Sequence, residues 1–395
     1  MIPAARVQAA IEILDQVIAA ARDGGPAADT LVARYFATRR YAGSKDRRAV
    51  RDFVYGAIRG AAERPQSGRA AMLRLAASEP DLLALFDGSA HGPAPARPDE
   101  IAPAGASAAI PAWLGARLDP VLAEDALPAL MGRAPLDLRV NTLKASREEV
   151  VANLPDAAPT PLSPLGLRLP DGFRVEETQA WSAGLVEIQD EGSQLLALAC
   201  AAAPGTIVVD LCAGAGGKTL ALAAEMKDEG RLIASDTDRG RLSRMAPRLQ
   251  RAGVSIVETR LLDPGREQET LHDLAGGANL VLVDAPCSGT GTWRRNPELR
   301  WRLTPERLRR FVEAQARLLD IAATLVGPGG HLVYAVCSIL AEEGRGQADS
   351  FSARSAMVPE EAAMAFGRNA GPGRLLTPDH DGTDGFFVAR WRAPC

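Results

Sequence analysis

Lysine is nearly absent from this 395-residue chain: of 45 basic residues only Lys45, Lys144, Lys218 and Lys227 are not arginine. Aromatic residues make up 5%, so Ala, Leu and Val must supply most of any core. Four histidines, scattered at His91, His272, His331 and His380, argue against a zinc cluster, and no metal is expected. The five cysteines (Cys200, Cys212, Cys287, Cys337 and Cys395) are odd in number and form no C-x-x-C pair. That pattern excludes a disulfide framework and fits a reducing cytoplasm. Long apolar runs are lacking too. The uncharged stretch Gly192 to Val209 is broken by Ser193, Gln194, Pro204 and Gly205. A membrane span needs about 20 mostly apolar residues. Arg6, Glu12 and Asp15 interrupt any secretory signal.

What is present is the balance of a folded chain, 47% apolar and 24% charged, long enough for two or three domains. The net charge of -4 hides two basic patches. Arg34 to Arg59 has a local net of +6, and Trp293 to Arg310 a local net of +5. Arginine binds phosphate bidentately and stacks on bases, so both patches suit RNA. The competing reading is a solvated arginine-rich face.

Three parts are expected: a helical part over 1–130, a small linking part with short strands over 131–178, and an α/β part over 179–395. Val7, Ile11, Leu14 and Ile18 recur at helical spacing, and Gly24-Gly25-Pro26 ends that helix. Asp29 and Ser44 are candidate caps for two further helices. Gly88 to Pro111 reads as a linker. From about residue 179, helices alternate with strands at Ile207–Leu211, Arg231–Ser235, Ser255–Thr259, Leu280–Asp284, His331–Val336 and Phe386–Trp391. That alternation predicts a doubly wound, parallel α/β sheet.

The sharpest motif runs from Asp210 to Thr219, with Gly214, Gly216 and Gly217 between a strand and a helix. A P-loop ends in the same Gly217-Lys218-Thr219, but Cys212 stands where its first glycine is required. An S-adenosylmethionine loop requires an acid at the end of the second strand. Asp236 meets that need, 22 residues after Gly214.

Two cysteines stand at expected strand ends: Cys287, after Asp284-Ala-Pro286, and Cys337, after Tyr334-Ala-Val. The usual role of a lone cysteine is a small core residue. Two at adjacent strand ends suggest cytosine chemistry. A thiolate adding to carbon 6 makes carbon 5 nucleophilic toward a methyl sulfonium, and an acid at ring nitrogen 3, here Asp284, assists. The base must come from an open loop or be flipped from a stack.

With these motifs the sequence resembles the Sun (Fmu) family of RNA cytosine-5 methyltransferases over residues 135–395. The matching stretches are Gln189 to Gln194, Asp210 to Thr219, Asp284 to Gly291, Arg294 to Pro297, Val333 to Ser338 and Asp384 to Phe387. Residues 1–130 resemble the all-α NusB-like RNA-binding domain that precedes a Rossmann-like catalytic domain in the bacterial rRNA enzymes. The resemblance implies Cys337 as nucleophile and Cys287 as the group that assists product release. It implies a cofactor site of Cys212, Ala213, Gly214, Ala215, Gly216, Gly217, Lys218, Asp236, Asp263 and Asp284 for S-adenosylmethionine. The implied partner is RNA, 16S rRNA by analogy with the bacterial enzymes, bound by a monomer without a membrane. Arg294 and Arg295 are expected to contact RNA at the active-site mouth, and Arg39, Arg40, Arg47 and Arg48 to form a second contact. The chain departs from the family at Gly214-Ala215, where Ala-Pro is usual, at Val336 for Thr and at Ala341 for Pro. The Asp263 segment lacks the usual glycine before its acid. Alternatives are a tRNA or other RNA substrate, a non-catalytic RNA-binding or ribosome-assembly factor, and a P-loop ATPase.

Overall fold

The computed structural model describes residues 1–77, 79–101, 110–361 and 365–395. The expected linker over Gly88 to Pro111 includes 102–109, which lie outside the described residues. The chain divides into two compact units. The first is Met1–Arg117 with Leu127–Gly132 and Thr292–Pro305; the second is Leu118–Ala126, Arg133–Gly291 and Glu306–Cys395. Among the described residues no helix is long and apolar enough to cross a membrane.

Four helices dominate the first unit: α1 (Pro3–Asp23), α2 (Ala28–Ala37), α3 (Ser44–Arg59) and α4 (Gly68–Ala76). α1 starts on Pro3, whose missing N–H costs nothing there, and ends at Gly24, whose φ of 79° turns the chain. Its Val7, Ile11, Leu14 and Val17 share a core with Val50, Val54 and Ile58 of α3 and Met72 and Leu73 of α4. The two expected caps are not caps. Asp29 lies inside the first turn of α2, and Ser44 is the first helical residue of α3. The Gly43 N–H at the start of α3 instead donates to Asp46 Oδ2 at 3.2 Å.

The arginine-rich stretch Thr292–Pro305 belongs to this helical unit and closes its helix ends. Arg300 is buried, and its Nη2 donates to the carbonyls of Ile58 (2.8 Å) and Arg59 (3.4 Å) at the end of α3. Glu298 Oε1 accepts the N–H of Ala28, the first residue of α2, at 3.1 Å. Arg302 Nη1 donates to Gly25 O at 2.7 Å, just past α1, and its Nη2 reaches Pro26 O. Cations therefore lie at helix C-termini and an anion at an N-terminus, where unpaired backbone groups and the helix dipole favour them. Burial presses the Arg300 pKa down to about 10. Trp301 fills the same core, and its Nε1 donates to Ala61 O at 2.9 Å.

The second unit holds two sheets. β1 (Leu136–Val140), β2 (Ala158–Pro159), β3 (Gly166–Leu169) and β4 (Val186–Ile188) form a small antiparallel sheet in the order β2-β3-β1-β4. The larger sheet contains β5 (Ile207–Asp210), β6 (Arg231–Asp236), β7 (Val257–Leu261), β8 (Ala278–Asp284) and β9 (Val326–Val336). It continues with β10 (Val358–Glu360), β11 (Arg368–Ala370), β12 (Gly373–Leu376) and β13 (Phe386–Arg392). Its order is β11-β12-β13-β9-β8-β5-β6-β7, with β10 beside β13. β7, β6, β5, β8 and β9 run parallel, and β13 returns antiparallel on β9. This is the doubly wound α/β sheet the alternation predicts. Its central strands are continuous apolar runs because helices cover both faces. The third expected strand, 255–259, lies two residues later, at Val257–Leu261.

The turn after β5 carries an unusual carboxylate. Asp210 is fully buried and accepts the Thr219 hydroxyl at 2.7 Å. A P-loop would aim that hydroxyl at a magnesium ion; here Asp210 holds it. Burial raises the Asp210 pKa to about 7, the Thr219 bond working against it.

Two outcomes follow from this packing. Trp301→Ala should cost about 3–5 kcal/mol, as expected for a buried aromatic. Denaturant melts of the full chain test this, and a loss near zero would mean the stretch is not part of the helical core. Asp210→Asn should gain thermal stability relative to the parent as pH rises from about 4 to 8. The folded Asp210 has the higher pKa, so its contribution is complete below the unfolded value and is lost as pH climbs through about 7. Thermal midpoints at pH 4.5 and 8 decide it; a difference that does not change with pH would refute it.

Candidate active site

Parallel strands deliver their carboxyl ends to one edge, where doubly wound sheets bind ligands beside the point at which strand order reverses. β5 is that point, with β6 on one side and β8 on the other. Asp210, Asp236 and Asp284 end β5, β6 and β8, and Cys337 follows β9.

The first half of the site is the turn from β5 into the helix Gly217–Glu225. Gly214 and Gly216 have φ of 57° and 86°. A Cβ on Gly214 would lie 2.4 Å from Arg241 Nη2, and one on Gly216 would lie 2.6 Å from Met245 Cγ, but it is the left-handed backbone that demands glycine at both. A Cβ on Gly217 would meet nothing within 4 Å, which marks the open side of the cradle. The absence of the family's usual proline at Ala215 leaves the turn intact. Asp236 is buried and accepts the Gly214 N–H through Oδ2 and the Asp238 N–H through Oδ1, both at 2.8 Å. Arg241 Nη1 stands 3.6 Å from Asp236 Oδ2. The remaining lone pairs of Asp236 suit vicinal hydroxyls. Cys212 is half-buried, and burial pushes its thiol well above the ordinary range. Ala213 is buried and Ala215 partly so. Asp263, beyond β7, is exposed, and the N–H of its neighbour Leu262 donates to Asp236 O at 2.9 Å.

A buried lysine joins the two halves. Lys218 Nζ bonds Asp284 Oδ2 at 2.8 Å and lies 5.9 Å from the Phe386 ring centroid. Burial disfavours its charge, but Asp284 more than offsets this and holds the ammonium above its usual pKa.

The second half consists of the loops after β8 and β9. Asp284 pairs with Ala335 in register, and three residues past the one and two past the other the thiols meet: Cys287 Sγ lies 3.4 Å from Cys337 Sγ. Hydrogen bonding to Cys337, then burial, then the charges of Cys337 and Glu343 push the Cys287 thiol well up. The loops are also tied by backbone: the Gly291 N–H donates to Cys337 O at 3.1 Å, and the Gly385 N–H to Gly291 O at 2.8 Å. A Cβ on Gly291 would lie 1.9 Å from Gly385 O, which explains the glycine in each motif.

The structure thus brings together Cys287, Cys337, Asp284, Lys218, Asp236 and the glycine turn. Arg294, expected to contact RNA at the active-site mouth, is buried, and its carbonyl accepts from Arg59 Nη2 at 3.4 Å. Arg294 and Arg295 lie in the stretch that closes the helical unit, because its tryptophans and charged groups are used inward. In that same unit Arg40, Arg47 and Arg48 are exposed, whereas Arg39 lies 3.6 Å from the Tyr35 ring centroid. Two groups escaped the sequence reading. Arg248 donates to Ala215 O at 2.7 Å and to Glu187 at 2.9 Å, tying the glycine turn to β4. Glu343 is buried against both cysteine loops. Each reads in sequence as an ordinary charged residue.

A family model described as 16S rRNA methyltransferase RsmB/F matches residues 197–392. The ribosomal RNA small subunit methyltransferase B of Xylella fastidiosa (strain 9a5c) is 35% identical over 295 residues, covering 72% of this chain and 68% of that protein. The protein of that name from Salmonella agona (strain SL483) is 33% identical over 294 residues, 71% of this chain; the match spans 65% of the relative's length. Among solved structures, PH0851 superposes with a TM-score of 0.76 at 25% identity, covering 99% of each chain. A methyltransferase homolog from Pyrococcus horikoshii gives 0.60 at 29% identity, covering 68% of this chain and 89% of its own. With its cofactor turn and paired cysteines in the same order as the motifs of such enzymes, the chain belongs to the 16S rRNA methyltransferase RsmB/F family.

Proposed function

We propose that this protein is an S-adenosylmethionine-dependent RNA cytosine-5 methyltransferase whose substrate is 16S rRNA. The observation that carries this reading is the pair of thiols 3.4 Å apart at adjacent strand ends, beside the Asp284–Lys218 pair. The glycine turn fits the cofactor: Gly217 leaves its side open, and Asp236 presents free lone pairs at the strand end. Bound there, S-adenosylmethionine supplies an electrophilic methyl group.

The chain's own residues do the rest. Cys337 Sγ, as thiolate, adds to carbon 6 of the cytosine, and the ring electrons move toward nitrogen 3. Asp284 and Lys218 share a proton-bearing hydrogen bond that can be presented at that nitrogen. Once carbon 5 is methylated, its proton must leave and the bond from carbon 6 to Cys337 must break. Cys287 is the base for that proton. While Cys337 is free, the bond and the charge it presents keep Cys287 protonated. In the adduct the Cys337 sulfur is a neutral thioether, both influences vanish, and Cys287 becomes easier to ionise. The two thiols are thereby used in sequence. RNA contact is assigned to the exposed Arg40, Arg47 and Arg48, with Arg39 beside them; counterion release would make such binding salt-dependent.

Denaturing electrophoresis with 16S rRNA tests the division of labour. Cys287→Ala should accumulate a nuclease-sensitive covalent band, Cys337→Ala should lose methyl transfer without such a band, and the double variant should show neither. A band from Cys337→Ala alone would exchange the roles, and full activity in both single variants would refute the covalent route. Asp236→Ala should weaken S-adenosylmethionine binding by about ten- to a hundredfold, since a charged hydrogen bond contributes roughly 1.5–3 kcal/mol. Unchanged affinity in calorimetry would remove Asp236 from the cofactor site.

A further inference from the structure

The loops after β8 and β9 leave their strands as irregular segments, with no ladder to hold them at a fixed spacing. Besides the Gly291–Cys337 backbone bond, a carboxylate joins them. Glu343 is fully buried. Its Oε1 accepts the Ser288 backbone N–H at 2.8 Å and Gln315 Nε2 at 3.0 Å. Its Oε2 accepts the Ser338 hydroxyl at 2.6 Å and the Ser288 hydroxyl at 2.5 Å. Ser288 follows Cys287 and Ser338 follows Cys337, so one side chain grips the neighbour of each thiol. Gln315 extends the grip, its Nε2 also donating to Pro286 O at 3.0 Å. Thr290 Oγ1 accepts the Ile339 N–H at 3.1 Å, a further tie between the loops. The Tyr334 hydroxyl, from β9, donates to the Glu343 carbonyl at 2.7 Å and fixes the backbone from which the carboxylate projects.

A buried carboxylate is costly unless its lone pairs are filled. Here four donors fill them, and all but Gln315 come from the cysteine loops themselves. An apolar residue of the same volume would fill the space but leave the Ser288 N–H without an acceptor and turn the two hydroxyls toward Thr290 and each other. We infer that Glu343 is a positioning residue that holds Cys287 and Cys337 at their working separation through Ser288 and Ser338. The inference rests on the reading of the two thiols as the reacting pair, which must reach adjacent carbons of one ring. Glu343 itself bonds neither sulfur. In Glu343→Gln one oxygen becomes an NH2 donor facing groups that already donate, so one half of the grip is lost while the volume is kept.

The spacing can be read without RNA. Diamide oxidises two neighbouring thiols to a disulfide: the S–S bond forms, and the two electrons and two protons pass to the diazene, giving a hydrazine. The rate of the Cys287–Cys337 cross-link, followed by peptide mass mapping of the full-length protein, reports how often the sulfurs meet. Glu343→Gln should slow this cross-link at least about tenfold and lower kcat for RNA methylation by about a hundredfold, the scale of an ångström-sized misplacement. KM for RNA and the affinity for S-adenosylmethionine should stay within about twofold, because neither site is touched. A parental cross-linking rate in folded Glu343→Gln would overturn the inference, and so would a lowered kcat with unchanged cross-linking. Should that variant fail to fold, Ser338→Ala removes one donor of the same grip; slowed cross-linking supports the inference and a parental rate overturns it. If the parent protein methylates no RNA, the proposed activity fails, while the cross-linking comparison still decides the role of Glu343.

Discussion

The parallel pairing of β8 on β9 is the constraint from which the site follows. It sets Asp284 beside Ala335, and so obliges the next residues of both strands to leave the sheet on the same edge. Antiparallel strands would send the two loops to opposite edges. Everything reactive then depends on that edge being dry below and open above. Val208, Val209, Leu282 and Val333 are fully buried beneath it, which fixes the register of three strands, β5, β8 and β9, at once. The cofactor turn after β5 and the two cysteine loops inherit their positions from this apolar floor rather than from each other.

The edge gathers four carboxylates, and each is accommodated differently. Asp210 meets burial with a raised pKa and one hydroxyl. Asp236 is held by two backbone N–H groups with Arg241 at 3.6 Å, Asp284 by the Lys218 ammonium, and Glu343 by an amide, a backbone N–H and two hydroxyls. The distinction has chemical sense. Backbone donors fix the direction of a carboxylate's remaining lone pairs, which suits the proposed acceptance of ligand hydroxyls by Asp236. An ion pair allows a proton to be presented, as proposed for Asp284 and Lys218. Hydroxyl and amide donors make a rigid joint, which is what the cysteine loops need.

The arginine-rich stretch Thr292–Pro305 shows how composition alone misleads. Its excess of positive charge suggests a phosphate-binding rim, yet Arg300 and Arg302 serve carbonyls at the ends of α3 and α1. Arg309 and Arg310, just beyond, pair with Glu306. A local charge count cannot distinguish arginines that meet solvent from those that close helices, because helix ends carry only partial charges that no sequence displays. The exposed basic face of α3 has the same composition but keeps Arg48 and Arg51 outward.

By itself the sequence determined the alternating elements, the doubly wound class, the glycine turn, the acid at the end of β6 and the two strand-end cysteines. These are local properties: periodicity, turn chemistry and spacing along one chain express them directly. It also carried the family resemblance, because the motifs keep their order. The capping of α2 and α3 escaped it by a residue or two, since Asp29 and Ser44 satisfy the same propensities at neighbouring positions. Only the tertiary structure decided that Arg294 turns inward. It alone joined Lys218 to Asp284, 66 residues away, and set Glu343 between Ser288 and Ser338. Those contacts arise where distant segments share one dry edge, and the identity of a charged residue says nothing of whether it will be buried there.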